Sequence, residues 1–507
     1  MTRSAPAGGI RTILEDVAGF ASSQYALRIG SLIKGFAVAR ILGPAGNGIW
    51  QHFALIFDYS QFAHLGILPG YNKVMGHRLG RGDEAGVMNA RDNGLAGVFV
   101  SAVAVWIGLC LYAWLGKDLD PIDRWGLPIL GAIVVLEQIT NTYKALLRAY
   151  SRIKLISVVS VAFASTNLVL SLALLPGFKM FGVMVAWVVT RLGTTLWLIA
   201  RSGAPFRLKF EPATMRALLV TGFPIYLYQL TRLVLRNVDR VLVDATLPKE
   251  DLGIYGIAVT MTSLVRYGAD AIGFVLYPVI LRIYGETADP MAPRDHLVKP
   301  TLFLALFVPI VLGFGCLVVG APVRWILPAY EQSIGLFRLL SVPMVFSCLA
   351  IMPGFYMMAI DRQNWLVPLG FASIALNWYG GTWAVDHGYG MSGVAVVTGA
   401  NLALNTAAML LISGRHALGS WMAATVWTAK TFGPVLWVAA VIVGIDWVEA
   451  HTSLGQLDEV PRDLIEGLAF LAVSVPLLVA FERKTRFVRN FRRRRRGPPP
   501  PAGPASS

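Results

Sequence analysis

Charged side chains are scarce in this sequence of 507 residues. Asp, Glu, Lys and Arg together make up 14% of it, whereas a soluble domain carries about 25%. Hydrophobic residues make up 55% of the chain, and its mean hydropathy is +0.60. This deficit of charge excludes an ordinary soluble domain and favours a membrane protein.

Acidic residues are fewer than basic ones, and the excess of Lys and Arg is concentrated in alternate loops. The chain has 44 Lys and Arg against 29 Asp and Glu, a net charge of +15. The basic residues recur in alternate loops between apolar stretches, as around Arg81 and Arg148, whereas intervening loops such as that around Asp120 are neutral or acidic. This is the positive-inside pattern of membrane proteins. It predicts a membrane protein with both termini in the cytoplasm, and it argues against a nucleic-acid partner.

Cysteine and histidine patterns that would bind a metal are absent from the sequence. The three cysteines, Cys110, Cys316 and Cys348, all fall in apolar stretches, where a free thiol behaves as a small hydrophobic group. The seven histidines are scattered, with no His-x-x-x-His or Cys-x-x-Cys spacing. We therefore predict no disulfide framework, no metal site and no cofactor.

Catalytic patterns are lacking as well. The glycine-rich stretch Gly43–Gly48 has no following Lys-Ser/Thr and is not a nucleotide-binding loop. The Asp118-Leu119-Asp120 pattern is typical of a solvated acidic loop. The longest predicted outer loop, 446–463, has only about 18 residues, which is short for a catalytic loop. No cleavable signal sequence is expected either. The sequence predicts a protein that is not an enzyme.

Apolar runs near 20 residues recur along almost the whole chain, and each is long enough to cross a bilayer as a helix. We predict an all-α polytopic membrane protein with about fourteen transmembrane helices. Residues 1–18 form a cytoplasmic segment in this scheme. Residues 483–507, which are basic and proline-rich, form a disordered cytoplasmic tail that contacts anionic lipid.

Two sets of short motifs recur in the same order about 200–210 residues apart. Arg40-Ile41-Leu42 with Gly48-Ile49-Trp50 matches Arg240-Val241-Leu242 with Gly253-Ile254-Tyr255. The spacing from Arg152 to Asn167 equals that from Arg362 to Asn377. Such a parallel repeat predicts two pseudo-symmetric six-helix lobes with a cavity between them.

We place the first lobe, helices 1–6, at residues 19–210 and the second, helices 7–12, at residues 211–416. Helices 13 and 14 follow at residues 417–482.

Basic side chains inside the predicted helices point to an anionic ligand. A cation at the centre of a membrane helix costs about 2.5–3.5 kcal/mol on insertion scales, so it faces a cavity, a partner or a substrate. The basic residues in question exceed the acids Asp58, Glu137 and Asp270 in number. They are Arg28, Lys34, Arg191, Arg232, Arg236, Arg266 and Arg338.

Several of these charges have alternative interpretations. Arg266 and Asp270 are four residues apart and are expected to form a pair. Glu137 either holds Arg191 or carries a proton. Asp58 either pairs with Arg28 or Lys34 or serves in ion coupling, and Asp270 is a third coupling candidate.

The motifs of the two halves also resemble a known family. Ala39–Pro44, Gly48-Ile49-Trp50 and Gly80–Asp83 resemble the opening of the polysaccharide-type lipid-linked oligosaccharide flippases. Asp239–Leu242 and Leu252–Tyr255 resemble the start of the second half of these proteins. They belong to the multidrug/oligosaccharidyl-lipid/polysaccharide (MOP) exporter superfamily. The likeness covers helices 1–2 and 7–8 and, more loosely, 5–6 and 11–12.

This resemblance implies a two-lobed transporter that moves an undecaprenyl-pyrophosphate-linked oligosaccharide across the inner membrane by alternating access. Its partners would be that substrate, membrane lipid and a glycan polymerase or export complex. We expect the basic residues to hold the pyrophosphate, and Tyr25 and Gln229 to meet sugar hydroxyls. The candidate substrate-binding residues are Arg28, Lys34, Arg232, Arg236, Arg191, Arg266, Tyr25 and Gln229.

Three other functions stay open at this point. The lipid II flippases are similar, but their first helix carries an Arg-Asp pair that does not follow Arg28-Ile29-Gly30 here. The multidrug exporters of the superfamily favour acidic cavities, whereas the buried charge of this chain is net positive. A non-catalytic scaffold of a glycan-assembly complex would have every buried arginine neutralised by an acid.

Overall fold

The computed structural model describes residues 10–117, 119–150, 152–452 and 458–485, with most of the side chains from residue 30 onward. The described residues are almost entirely helical and contain no strand. Two short 3₁₀ turns lie at Pro328–Tyr330 and Gln363–Trp365. The α-helices are α1 (Ile10–Ser60), α2 (Ile67–Gly80), α3 (Glu84–Leu115), α4 (Pro121–Ala149), α5 (Ile153–Ser202), α6 (Pro212–Thr246), α7 (Lys249–Thr287), α8 (Arg294–Val318), α9 (Gly320–Ile326), α10 (Gln332–Leu349), α11 (Ile351–Ala359), α12 (Leu366–Asp386), α13 (Gly390–Leu418), α14 (Trp421–His451) and α15 (Glu459–Thr485).

Two of these helices each contain two of the predicted spans. α1 is broken at Gly43, whose φ of 68° is readily adopted only by glycine, and Pro44 follows directly. α5 is broken at Lys179, with φ 49° and ψ −129°. When both are divided there, α10 and α11 are joined, and the shorter helices α2 and α9 are left out, the described residues hold fourteen long helical segments. The predicted fold class is confirmed.

Nine helices in the described ranges are long and apolar enough, by length and composition alone, to cross a membrane. They include α3, which spans 32 residues, and α8, which spans 25. The chain is therefore a multi-pass membrane protein.

The chain divides into two compact units. The first comprises residues 1–244 and 248–253, and the second comprises residues 245–247 and 254–507. The main core of the first unit lies among α2, α3, α4 and α5. A core in the second unit joins α8, α14 and α15. These units are defined by contacts between residues, whereas the predicted lobes are defined by repeated sequence motifs. The lobe boundaries at residues 19–210 and 211–416 therefore stay a prediction.

Glycines let helices of the first unit approach at backbone distance in two places. A Cβ atom on Gly70 of α2 would lie 1.9 Å from the Leu218 carbonyl oxygen of α6, and one on Gly222 would lie 1.9 Å from the Gly66 oxygen. A Cβ on Gly48 would lie 1.6 Å from the Lys249 oxygen. Small residues at such crossings are typical of membrane helices. These contacts fix α2 and the second half of α1 against α6 and the start of α7.

Candidate functional site

Lys34 is a cation on α1 that is held without a carboxylate. Its ammonium donates a hydrogen bond to the Asn167 Oδ1 atom of α5 at 2.8 Å. It also lies 5.1 Å from the ring centroid of Trp50 and 5.7 Å from that of Trp187. Among the described residues it has no acidic ion-pair partner. The amide dipole and the two indole faces stabilise the positive charge and leave its sign unchanged.

The groups around Lys34 are themselves fixed in place. Trp187 packs edge-on against Phe57, with ring centroids 4.6 Å apart. Asn167 is 6% exposed, and its Nδ2 atom has no hydrogen-bond partner among the described residues. A buried amide N–H without a partner costs free energy. This side chain can therefore donate a hydrogen bond to a ligand that reaches the Lys34 ammonium.

The second group of cations lies on α6. Arg232 and Arg236 are four residues apart, so they share one face of the helix, and both are exposed. The Arg232 guanidinium lies 5.9 Å from the ring centroid of Tyr228, which is buried. No described carboxylate pairs with Arg232. Gln229 is exposed close by on the same helix.

Arg191 has a different environment from Lys34, because an acid neutralises it. Its Nη2 atom lies 2.6 Å from the Glu137 Oε2 atom, and both residues are buried. The Phe163 ring covers the guanidinium at 3.6 Å. Of the two alternatives for Glu137, the structure contains the ion pair. The pair joins α4 to α5.

Asp58 does not pair with Lys34, so that predicted alternative is wrong. Its Oδ2 atom accepts hydrogen bonds from Asn237 at 3.4 Å and from Arg240 at 3.5 Å, both on α6. The break at Gly43 explains the difference, since Lys34 lies before it and contacts α5, whereas Asp58 lies beyond it and contacts α6.

Two candidate residues fall where side chains are not described. Tyr25 and Arg28 lie in the first part of α1, and their side chains are outside the described residues. The proposed pairing of Asp58 with Arg28 stays a prediction for the same reason.

In the second unit, Arg266 has the partner that its spacing predicts. Its Nε atom lies 3.5 Å from the Asp270 Oδ2 atom, and its Nη1 atom also donates a hydrogen bond to Ser347. The charge of Arg266 is therefore compensated, and it is a weaker candidate for an anion than Lys34 or Arg232.

Sequence reasoning missed a polar cluster in the first unit where α1, α6 and α7 meet. The Asp244 carboxylate lies 2.6 Å from the His52 Nδ1 atom and 2.5 Å from the Lys249 ammonium. Nearby, the Asn47 amide donates to the Gly253 carbonyl oxygen at 2.8 Å. The matching motifs at Gly48 and Gly253 were visible in the sequence. What they did not show is that the two copies pack on each other.

The described residues contain no group of three or more His, Cys, Asp or Glu side chains that could hold a metal ion. Lys34 and Arg232 are each cations that can attract an anion, with the Asn167 amide beside Lys34 and the exposed Gln229 near Arg232.

Comparison with known proteins identifies the family of this chain. Residues 13–284, just over half of the chain, match the model of a family described as polysaccharide biosynthesis protein. No curated protein sequence matches the chain significantly.

Solved structures share the fold at low sequence identity. A structure of the lipid II flippase MurJ in an inward closed conformation has a TM-score of 0.67 and 12% identity, covering 92% of this chain and 99% of that one. An inward-facing MATE-family multidrug resistance transporter of the MOP superfamily has a TM-score of 0.65 and 14% identity, with coverages of 84% and 98%. A MOP superfamily transporter from Pyrococcus furiosus, described as having a binding pocket of reverse polarity, has a TM-score of 0.56 and 15% identity, with coverages of 86% and 96%.

These matches confirm the resemblance drawn from the motifs. This multi-pass membrane chain belongs to the polysaccharide biosynthesis protein family, and it has the two-lobed fold of the MOP superfamily transporters.

Proposed function

We propose that this protein is a flippase that translocates an oligosaccharide linked to undecaprenyl pyrophosphate across the bacterial inner membrane. It works by alternating access, and both of its termini lie in the cytoplasm. One observation carries the proposal: Lys34 on α1 and Arg232 on α6, both within spans predicted from the sequence, have no described carboxylate partner. Membrane helices retain such cations for a functional partner.

The chemistry of a pyrophosphate suits these two side chains. A guanidinium offers parallel N–H donors that match phosphate oxygens, and an ammonium provides a compact positive charge. The unpartnered Nδ2 atom of Asn167 and the exposed Gln229 can donate hydrogen bonds to a further phosphate oxygen or a sugar hydroxyl. The polyprenyl tail would stay in the lipid while the polar headgroup crosses.

Transport requires that the headgroup bind one conformation more tightly than the other. Cations held by neutral groups provide a strong attraction that an ion-paired arginine does not. This supports Lys34 and Arg232 over Arg191 and Arg266 as the principal anion ligands, and Arg236, Arg28 and Tyr25 remain proposed ligands.

The test is flipping by the purified protein in proteoliposomes. A fluorescent oligosaccharide on undecaprenyl pyrophosphate would be incorporated, and its appearance on the opposite leaflet would be followed with a membrane-impermeant quencher. We expect the wild type to flip this lipid, and Lys34→Gln and Arg232→Gln each to lower the maximal rate about tenfold or more. A hydrogen bond to a charged group contributes about 1.5–3 kcal/mol.

Lys430→Gln is the matched control, because Lys430 is an exposed lysine on α14. It should flip at the wild-type rate. Absence of flipping by the wild type would refute the proposed function, and an undiminished rate in the Lys34→Gln/Arg232→Gln double variant would refute the assignment of the ligands.

A further inference from the structure

A basic cavity in the first unit lies apart from the Lys34 and Arg232 groups. Its volume is about 370 Å³, and it is formed by α2 and α6. Its lining consists of Lys73, Val74, His77, Arg78, Arg81 and Thr221. Four of the six side chains are basic or can become so, and none is acidic.

The spacing along α2 explains why these side chains converge. Lys73, His77 and Arg81 follow one another at intervals of four residues, so they form one row on the helix surface. All three are exposed and have no carboxylate partner among the described residues. Arg78 lies in the adjacent row, where its Nη1 atom donates to the Gly86 carbonyl oxygen at 2.7 Å. Three of the four basic side chains of the cavity therefore lack a paired acid among the described residues, whereas Arg78 lies within electrostatic reach of Glu211.

A preference for basic residues on one side of the membrane does not account for this convergence. That preference fixes the side on which charges lie, but it does not require them to surround one concavity. The opposite face of α2 is apolar and buried, with Tyr71 and Met75 almost fully covered by the core. The close contacts of Gly70 and Gly222 then hold the basic row at a fixed position beside α6.

The position of Thr221 connects this cavity with the proposed ligand site. Thr221 precedes Arg232 on α6 by three turns, or about 17 Å along the axis. Gln229 and Arg232 are exposed on the same side of the helix as Thr221, as the 3.6-residue period of α6 requires. One face of α6 therefore leads from the basic cavity to the uncompensated arginine.

We propose that this cavity binds the pyrophosphate of the lipid-linked substrate at the membrane surface before the headgroup moves to Lys34 and Arg232. This inference rests on the proposed function. The ligand chemistry is a phosphoryl oxyanion on a membrane lipid, to which Lys and Arg donate charged hydrogen bonds and Thr221 a neutral one. The charge pattern of the loops assigns this end of α2 and α6 to the cytoplasm, where such a substrate would be loaded.

A loading site affects substrate capture rather than the crossing itself, so it can be tested by separating KM from the maximal rate. In the flipping assay, Lys73→Gln/Arg81→Gln should raise KM for the lipid-linked substrate roughly fivefold, since two exposed charge contacts together contribute about 1 kcal/mol. Its maximal rate should stay at the wild-type value. The effect should shrink with added salt, because exposed charges are screened.

The matched control removes the same charge from the same side. Lys154→Gln/Arg207→Gln replaces one exposed Lys and one exposed Arg away from the cavity and should leave KM unchanged. Lys73→Arg/Arg81→Lys keeps both charges and should also retain the wild-type KM. An unchanged KM in Lys73→Gln/Arg81→Gln, in a protein that flips its substrate, would refute the loading site alone. Absence of flipping in the wild type would refute the proposed function instead.

The cavity could bind the pyrophosphate of the substrate or the phosphate of an ordinary phospholipid. A binding measurement on the full chain distinguishes these two ligands. We would measure binding of farnesyl pyrophosphate in phosphatidylcholine nanodiscs, with and without phosphatidylglycerol. The proposal predicts weaker binding in Lys73→Gln/Arg81→Gln than in Lys154→Gln/Arg207→Gln, and little competition from phosphatidylglycerol. If phosphatidylglycerol displaces the probe and the two variants bind it equally, the cavity is a phospholipid contact and the proposal is wrong.

Discussion

Lys34 and Arg191 are both cations inside the first unit, yet they are stabilised in opposite ways. Arg191 has the Glu137 carboxylate at 2.6 Å, whereas Lys34 has an amide oxygen and two indole rings. An ion pair cancels charge, and an amide with aromatic faces does not. The number of cations in a sequence therefore overstates the charge available to a ligand. The available charge can be judged only when the partner of each cation is known.

The Glu137–Arg191 pair gives a prediction about stability. Replacing Glu137 with Gln leaves a buried guanidinium without its counter-charge, and such losses cost about 3–5 kcal/mol in buried pairs. We expect the purified Glu137→Gln variant to unfold at a markedly lower temperature in detergent. Glu286→Gln is the control, because its partner Arg282 is largely exposed and the exposed pair contributes at most about 1 kcal/mol.

The same variant separates the pair from the proton-carrier alternative. If Glu137 stabilises the fold through its ion pair, the Glu137→Gln variant should have a lowered Tm. The double variant Glu137→Leu/Arg191→Leu should partly restore the Tm, because it removes both charges. A Glu137 that only carries protons predicts an unchanged Tm together with a loss of transport. That second result would contradict the structural assignment.

Residue partners follow directly from the sequence where they lie on one helix, whereas between helices only the Glu137–Arg191 pair was among the predicted alternatives that the structure contains. The four-residue spacing of Arg266 and Asp270 places them together directly. Lys34 and Asn167 are 133 residues apart, and Asp58 and Arg240 are 182 apart. Their contacts depend on helix rotation and on the break at Gly43, and neither property can be read from hydropathy. Neither the aromatic surroundings of Lys34 nor the Asp244 cluster was foreseen for this reason.

At the scale of helices, the number of spans was predictable and their joints were not. Span length is set by the bilayer, so apolar runs near 20 residues suffice to find them. The breaks at Gly43 and Lys179 are local backbone properties instead. The intervals between Lys73, His77 and Arg81 were also present in the sequence, but only the packing of α2 on α6 shows that they surround a cavity.

The contact between α2 and α6 gives a prediction with an internal control. Gly70→Ala would place a Cβ atom 1.9 Å from the Leu218 carbonyl oxygen, so the two backbones must separate. Strain of this kind costs about 1–3 kcal/mol. Gly76 lies on the same helix with no atom within 4 Å of its ideal Cβ position. Gly76→Ala should therefore be neutral or stabilise the protein by about 0.4–1 kcal/mol.

Thermal unfolding in detergent would compare the two variants, and KM in the flipping assay would add a second readout. Because Gly70 helps to position the basic row of α2, Gly70→Ala should raise KM as well as lower Tm. Equal Tm values for Gly70→Ala and Gly76→Ala would show that the backbones do not meet as described.

At the scale of the whole molecule, uncompensated cations place net positive charge on the empty protein. Lys34 and Arg232 contribute two positive charges on helices of the first unit. A diester of pyrophosphate carries two negative charges, so binding brings the site close to neutrality. A membrane potential acts on moving charge, at about 2.3 kcal/mol per elementary charge for 100 mV across the full membrane. Under the proposed function, the potential acts mainly on the empty protein.

An inside-negative potential pulls positive charge toward the cytoplasm, which favours the return of the empty protein to the side where substrate is loaded. We therefore expect an imposed potassium-diffusion potential to increase the steady-state flipping rate in uniformly oriented vesicles. In Lys34→Gln/Arg232→Gln these two positions carry no charge in the empty protein, so the potential should no longer accelerate its return step. Collapsing only the pH gradient should have little effect, whereas proton coupling through Asp58, Glu137 or Asp270 predicts a fall in rate. A wild-type rate that follows the pH gradient and ignores the potential would show that protonation of a carboxylate, rather than the charge of the bare cations, resets the transporter.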